Sequence, residues 1–153
     1  MLEDLRGKRA LITGSSTGIG AAVAREFGRL GVAVAVHGNK NGAAAEAVAA
    51  DIRAAGGKSI VVLGDVSKAA QAARIVEEAV AGLGGLDILL NNAGAILDRV
   101  TNAGFDEARY EAVYDLNVRS VLAVTKAAYP HLKAAGGGSI INTGSVAGRF
   151  GGF

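Results

Sequence analysis

The side chains best suited to chemistry occur in short clusters. The first is Thr13-Gly14-Ser15-Ser16-Thr17-Gly18-Ile19-Gly20, a glycine-rich turn between an apolar run and a helical stretch. Such a turn can hold a pyrophosphate, because bare backbone N–H groups reach phosphates that side chains would obstruct and the following helix N-terminus favours negative charge. Its spacing is Gly-x-x-x-Gly-x-Gly rather than Gly-x-Gly-x-x-Gly, and an ordinary strand-to-helix turn is the plain alternative. Ser145, after a late apolar run, offers a hydroxyl that can stabilise charge developing on a carbonyl oxygen; it reads equally as a turn-forming serine. Asn117 falls on a helical stripe with Val113, Val121 and Val124, where a buried amide needs partners. A local defect or bound water is expected there, or a structural tie to a loop. Asp65 and the run Asn91-Asn92-Ala93-Gly94 are polar turn segments that can shape a loop and touch a ligand together.

For these clusters to meet, the elements between them must deliver each to one rim. Apolar runs at 9–13, 32–37, 59–63, 86–91 and 139–143 are continuous rather than alternating, the pattern of strands covered on both faces. Helical stretches separate them. One covers 19–30, with Val23, Phe27 and Leu30 on one stripe and Gly31 as its stop. Alanine-rich 43–55 ends at Gly56-Gly57, and Ser67 is a candidate cap for a helix to about Ala81 before Gly82. A long helix runs from about Asp106 to about Lys133, its last turn disturbed by Pro130. Strands alternating with helices of this length imply βαβ crossovers and a parallel, doubly wound α/β sheet. The glycine turn, Gly38-Asn39-Lys40, Asp65-Val66, Asn92-Ala93-Gly94 and Gly144-Ser145 then all follow strand ends, on the rim where open sheets bind ligands.

Half of the 153 residues are hydrophobic and a fifth charged, a globular balance that suits one domain over 1–153. Sixteen Lys and Arg against fourteen Asp and Glu leave a scattered net charge of +2, so nucleic acid is not an expected partner. The absence of cysteine excludes disulfides and thiolate metal sites. His37 and His131 lack metal-ligand spacing, and no metal site is expected. Glu3, Asp4, Arg6 and Lys8 precede any apolar run, unlike a secretory signal. No apolar run approaches the ~20 residues needed to span a bilayer, and a cytoplasmic protein without a membrane partner is expected.

In this order and spacing the motifs resemble those of the Tyr-dependent short-chain dehydrogenase/reductase family, in particular its 3-oxoacyl-carrier-protein reductase-like branch. The likeness covers essentially the whole chain: Thr-Gly-x-x-x-Gly-Ile-Gly at 13–20, Asp65-Val66, Asn91-Asn92-Ala93-Gly94, Asn117-Val118 and Gly144-Ser145. It implies a Rossmann-type fold with five strands in the order 3-2-1-4-5 and a homo-oligomer, dimer or tetramer. It also implies that Gly14, Ser16, Gly18, Ile19 and Gly20 contact a nicotinamide dinucleotide. Asp65 and Val66 would flank its adenine, and Asn92, Ala93 and Gly94 would line the ribose beside nicotinamide. In the family's mechanism a serine holds the substrate oxygen and an asparagine anchors a water-linked proton relay; Ser145 and Asn117 match these two.

The family's Tyr-x-x-x-Lys pair follows the serine at a distance greater than the eight residues separating Ser145 from Phe153. Tyr129-Pro130-His131-Leu132-Lys133 fits the pattern literally but precedes the serine, so Tyr129 reads as packing at a helix end and Lys133 as a favourable C-terminal cation. The domain is therefore expected to be incomplete at its C-terminus. The family's later strands would be missing, with Ile140-Ile141 on a bare sheet edge and one face of the long helix uncovered. NADP(H) is the expected cofactor and NAD(H) the alternative. No acidic residue in Gly38-Asn39-Lys40 would accept from a ribose 2′-OH, Asn39 can donate, and Lys40 with His37 would add positive charge. Against this, Ser15 stands at a turn position that is basic in many NADP-dependent relatives. The implied activity is hydride transfer between nicotinamide and a small-molecule ketone or secondary alcohol, 3-oxoacyl thioesters included. The rival readings are a non-catalytic dinucleotide-binding module, if the chain ends at Phe153, and a structural oligomerisation domain.

Overall fold

A computed structural model describes residues 3–97, 102–104 and 106–150. Its strands are β1 (Arg9–Ile12), β2 (Ala33–Gly38), β3 (Ser59–Leu63), β4 (Ile88–Asn91) and β5 (Ser139–Asn142). They form one parallel sheet in the order β3-β2-β1-β4-β5, as expected for a Rossmann-type fold. Between them lie α1 (Gly18–Arg29), α2 (Gly42–Ala54), α3 (Ala69–Leu83), α4 (Glu107–Tyr114) and α5 (Ser120–Ala134), with a short α6 (Ala147–Phe150) after β5.

Because successive strand residues face opposite sides, the central strands feed two cores. Ala10 and Ile12 of β1, Val34 and Val36 of β2, and Ile88 and Leu90 of β4 pack with α1 and α2. Leu11, Ala35 and Leu89, which sit opposite one another in register, pack with α3 and α5. Both faces of the sheet are covered at its centre, which is why these runs carry no polar alternation.

Local details depart from the sequence pattern where packing overrides it. The deepest residues of α1 are not Val23, Phe27 and Leu30 but Gly20, Ala21, Ala24 and Gly28. A Cβ on Gly28 would stand 2.5 Å from Ile52 of α2, so the small face permits close helix approach. Gly31 (φ +83°) does end the helix. Ser67 does not cap α3: its N–H donates to the Asp65 carboxylate and the helix begins at Ala69. Nor does Gly82 stop α3. It packs on Ile60, and the left-handed residue that ends the helix is Gly84 (φ +77°).

The long helix is three pieces, with one π turn over Asp115–Arg119 joining α4 to α5. Asp106 caps its start by accepting from the Ala108 N–H, and α5 continues past Pro130 to Ala134. Tyr129 is exposed rather than packed. β5 is an edge strand with every residue exposed, Ile140 and Ile141 included.

Strand β1 enters the sheet through a charged clamp. Asp87 accepts from the Arg9 backbone N–H (2.9 Å) and from Nε of the same residue (2.7 Å), while Arg9 also donates to the Gly84 carbonyl (2.6 Å). This holds the Asp87 carboxyl below the usual carboxylate range. Its contribution is therefore complete above the unfolded value of about 3.9 and is lost as pH falls through the depressed native one. Asp87→Asn should cost about 1–2 kcal/mol in urea unfolding at neutral pH. That deficit should shrink as pH falls through the depressed native value, below the ordinary carboxylate range.

Candidate active site

The sheet changes direction at β1: the chain leaves it first for β2 and β3 and later returns beside it as β4. Ligands of open α/β sheets bind at this switch, outside the carboxyl ends of the strands. A cleft of about 950 Å³ opens there. Every candidate site residue but one lines it: Gly14, Ser16, Gly18 and Ile19 from the turn, Asn39, Asp65 and Val66 from the next two strand ends, Asn92, Ala93 and Gly94 after β4, then Asn117 and Ser145.

The exception is Gly20, which is buried. A Cβ there would stand 2.5 Å from Asn92 Nδ2 and 2.6 Å from the Gly14 carbonyl oxygen. Its lack of a side chain lets α1 close onto the turn, rather than clearing a path to the cleft. Gly18 differs: it has φ +56°, and nothing lies within 4 Å of a Cβ built on it. The N–H groups from Ser16 to Gly20 have no protein acceptor among the described residues. The turn therefore presents a row of free donors at a helix N-terminus, which fits an anionic diphosphate.

Two sets of polar groups, buried except for half-buried Asn92, hold that turn. On the β4 side, the Thr13 hydroxyl accepts from the N–H groups of Asn92 (2.9 Å) and Ala93 (3.0 Å) and donates to the Leu90 carbonyl. The Asn92 amide returns donors to the Thr13 and Gly14 carbonyls. On the β2 side, Ser15 is fully buried; its hydroxyl donates to the Ile12 carbonyl and accepts from the His37 N–H. Ser15 is thus turned away from the cleft and reads no ligand, whereas Thr17 lines it. His37 is 2% exposed, and its ring is bonded to Gly14 and Gly64. Burial pushes its pKa down, against the opposing pulls of the Gly64 carbonyl and Asp65. Neutral His37 adds no positive charge to the cofactor site, contrary to the sequence-based expectation.

Burial raises the Asp65 pKa, but hydrogen bonds from Ser67 and the nearby charges of Lys68 and Lys40 outweigh it and hold the carboxyl low. Asn117 is exposed rather than buried, and it sits in the π turn. Its Nδ2 donates to the carbonyls of Ala95 (2.9 Å) and Val113 (2.8 Å), and Oδ1 accepts from the Ala95 N–H. The side chain ties the loop after β4 to the helix, and a Cβ on Gly94 would stand 2.6 Å from Oδ1. The Ser145 hydroxyl accepts from the Ala147 N–H (3.2 Å), leaving its own hydrogen to donate into the cleft.

That Thr13, Ser15 and His37 brace the turn is not legible in the sequence. For that bracing role the sequence offers polarity next to apolar strand residues, which demands partners without naming them. Tyr110, Tyr114 and Tyr129 lie on α4 and α5, and none of them lines the cleft; neither does Lys133. Among the described residues no group of three or more His, Cys, Asp or Glu could hold a metal ion. None of the described helices is long and apolar enough to cross a membrane.

A family model for short chain dehydrogenases matches residues 8–153. The chain belongs to the short-chain dehydrogenase family. An uncharacterized oxidoreductase of Methylorubrum extorquens is 46% identical over 149 residues, covering 95% of this chain and 57% of that protein. A short chain dehydrogenase/reductase of Aspergillus aculeatus, AacuN, is 44% identical over 136 residues, covering 86% of this chain and 50% of its own length. Among solved structures, the NADH-dependent reductase A1-R′ complexed with NAD superposes with a TM-score of 0.92 at 42% identity, covering all of this chain and 65% of that one. A Burkholderia cenocepacia family member in complex with NADP gives 0.87 at 36% identity, covering 95% and 58%. The chain spans about half the length of the curated relatives it matches.

The two glycines at the helix start separate conformational from packing constraint. Gly18→Ala meets open space but a left-handed φ and should cost about 1 kcal/mol. Gly20→Ala forces Asn92 and the turn apart and should cost about 2 kcal/mol or more. Thermal unfolding of the two variants ranks them, and a smaller loss at Gly20 would mean that the turn relaxes freely.

Proposed function

We propose that this chain is the dinucleotide-binding part of an NAD(P)-dependent oxidoreductase acting on a ketone or secondary alcohol. The observation that carries the reading is the row of N–H donors from Ser16 to Ile19, which have no protein acceptor among the described residues and line a preformed cleft that Ser145 also lines. The cleft suits a dinucleotide in extent and character, with free donors at the glycine turn, polar groups from Asn39 and Asp65, and apolar surface from Ile19, Val66, Ile96 and Val118. When bound, a nicotinamide cofactor supplies or accepts the hydride. The chain's own residues do the rest of the positioning. The turn neutralises the diphosphate, Asp65 and Val66 border the adenine end, and Asn92, Ala93 and Gly94 border the nicotinamide ribose. Asn117 fixes the loop carrying Gly94, and Ser145 donates to the substrate oxygen. 3-Oxoacyl thioesters are one ketone class within this reading.

NADP(H) is the proposed preference. Lys40 is exposed just past β2 and, with Lys68, acts on Asp65, so the adenine-ribose end of the cleft is flanked by two cations. Neutral His37 contributes nothing to this charge. In parallel titrations NADPH should bind more tightly than NADH, and Lys40→Glu should abolish or reverse the difference. NADH binding more tightly to the unaltered chain would overturn the preference, and failure to bind either would overturn the function.

No tyrosine or lysine of the described residues lines the cleft, and Ser145 by itself is a weak acid. A proton donor placed at the substrate oxygen is worth roughly a hundred- to ten-thousand-fold in rate. Residues 1–153 alone should therefore bind the dinucleotide yet reduce activated ketones at no more than about a hundredth of the rate of a longer polypeptide carrying Tyr-x-x-x-Lys. In that polypeptide Ser145→Ala should lower turnover strongly. NADPH absorbance measures both, and equal rates would return attention to Tyr129 and Lys133.

A further inference from the structure

The ring of His37 closes a circuit. Gly14 donates its N–H to Nδ1 (2.9 Å), and Nε2 lies 2.9 Å from the Gly64 carbonyl oxygen. A peptide N–H can only donate and a carbonyl can only accept. Nδ1 must therefore be bare and Nε2 protonated. One neutral tautomer satisfies both partners, and the imidazolium satisfies only one, because its Nδ1–H would point at the Gly14 N–H.

The turn has little room to escape such a clash. Gly14 has φ +64°, and a Cβ there would stand 2.9 Å from the Ala93 Cα, so the turn is backed against the loop after β4. The backbone of His37 is fixed as well: its N–H donates to Ser15 Oγ (2.8 Å) and its carbonyl accepts from the Ser15 N–H (2.9 Å). Moving the ring means moving the first residue of the phosphate-binding turn.

We propose that His37 is a positioning residue for the dinucleotide: its neutral ring braces the glycine turn against the loop after β3, and protonating it releases Gly14 and loosens the grip on the diphosphate. This rests on the dinucleotide-binding reading above.

The charges facing the ring come from three places. Asp65, one residue beyond Gly64, favours the imidazolium. Lys40 and Lys68 stand near Asp65 and oppose it. Arg74 of α3 donates to the Leu63 carbonyl beside Gly64. The glycine turn itself contributes no titratable side chain over residues 14–17. Burial outweighs Asp65, so the ring is neutral at pH 7 and the bracing form is the working one.

Calorimetry with NAD+, which carries no 2′-phosphate to titrate in this range, tests the proposal against His37→Asn, with circular dichroism in each buffer to confirm folding. Asparagine can place Oδ1 near the acceptor position of Nδ1 but cannot take up a proton. The unaltered chain should lose affinity about threefold or more as pH falls through the native His37 value, which burial places below the usual histidine range, whereas His37→Asn should bind more weakly at neutral pH with a flat profile. Equal acid weakening in both proteins, or none in the unaltered one, overturns the proposal and leaves the dinucleotide reading intact. Absence of NAD+ and NADP+ binding at every pH overturns both. A readout independent of ligand and variant is nitrogen NMR of the unaltered chain, where His37 should show a bare Nδ1, a protonated Nε2 and a Gly14 amide shift that follows the imidazole titration. A protonated Nδ1 at neutral pH overturns the assignment.

Discussion

A turn that offers its N–H groups to an anion must be built from backbone that is otherwise satisfied, and this requirement organises the cleft. The glycine turn runs between buried strand ends, where each unpaired polar group costs on the order of 1–3 kcal/mol. Two sets of polar side chains meet that demand. Thr13 and Asn92 lace the turn to the loop after β4. Ser15 and His37 lace it to β2 and the loop after β3. The donors from Ser16 to Ile19 have no acceptor among the described residues and are left for a ligand.

That bracing sets the shape of the layers beneath. The turn can pass so close to Asn92 only because Gly20 has no side chain, and α1 can lie against α2 only because Gly28 has none. Small residues thus occupy the buried face of α1, and Val23 and Phe27 are displaced to its flanks. On the opposite wall the π turn carries Asn117, whose amide bonds to Ala95 and so holds the loop bearing Gly94. Both walls are preformed, which lowers the ordering cost of binding a long, flexible ligand.

The apolar surface is unevenly covered. The centre of the sheet is sealed on both faces, whereas β5 exposes all four of its residues and α5 exposes Leu122 and Tyr129. A parallel strand with both faces open is unusual. The relatives of this chain are nearly twice its length.

Periodicity and glycine placement determined much by themselves. Continuous apolar runs separated by alanine-rich stretches specify a parallel α/β sheet, since only strands covered on both faces lack polar alternation, and the strand ends then gather the candidate residues on one rim. The extents of β3, α1 and α2 were legible to within a residue or so because Gly31 and Gly56 take the left-handed conformation that stops a helix. Other features were decided only by tertiary contact. Gly82 looks like a stop but serves Ile60, and His37 looks like a source of positive charge for the cofactor but is buried and neutral. Asn117, which looks buried, stands exposed in a π turn. The reason is common to all three: backbone propensity acts over a few neighbouring residues and is written in local sequence. The partner of a buried polar group, and the space beside a glycine, are supplied by segments 20 to 80 positions away, and those meet only when the sheet is assembled.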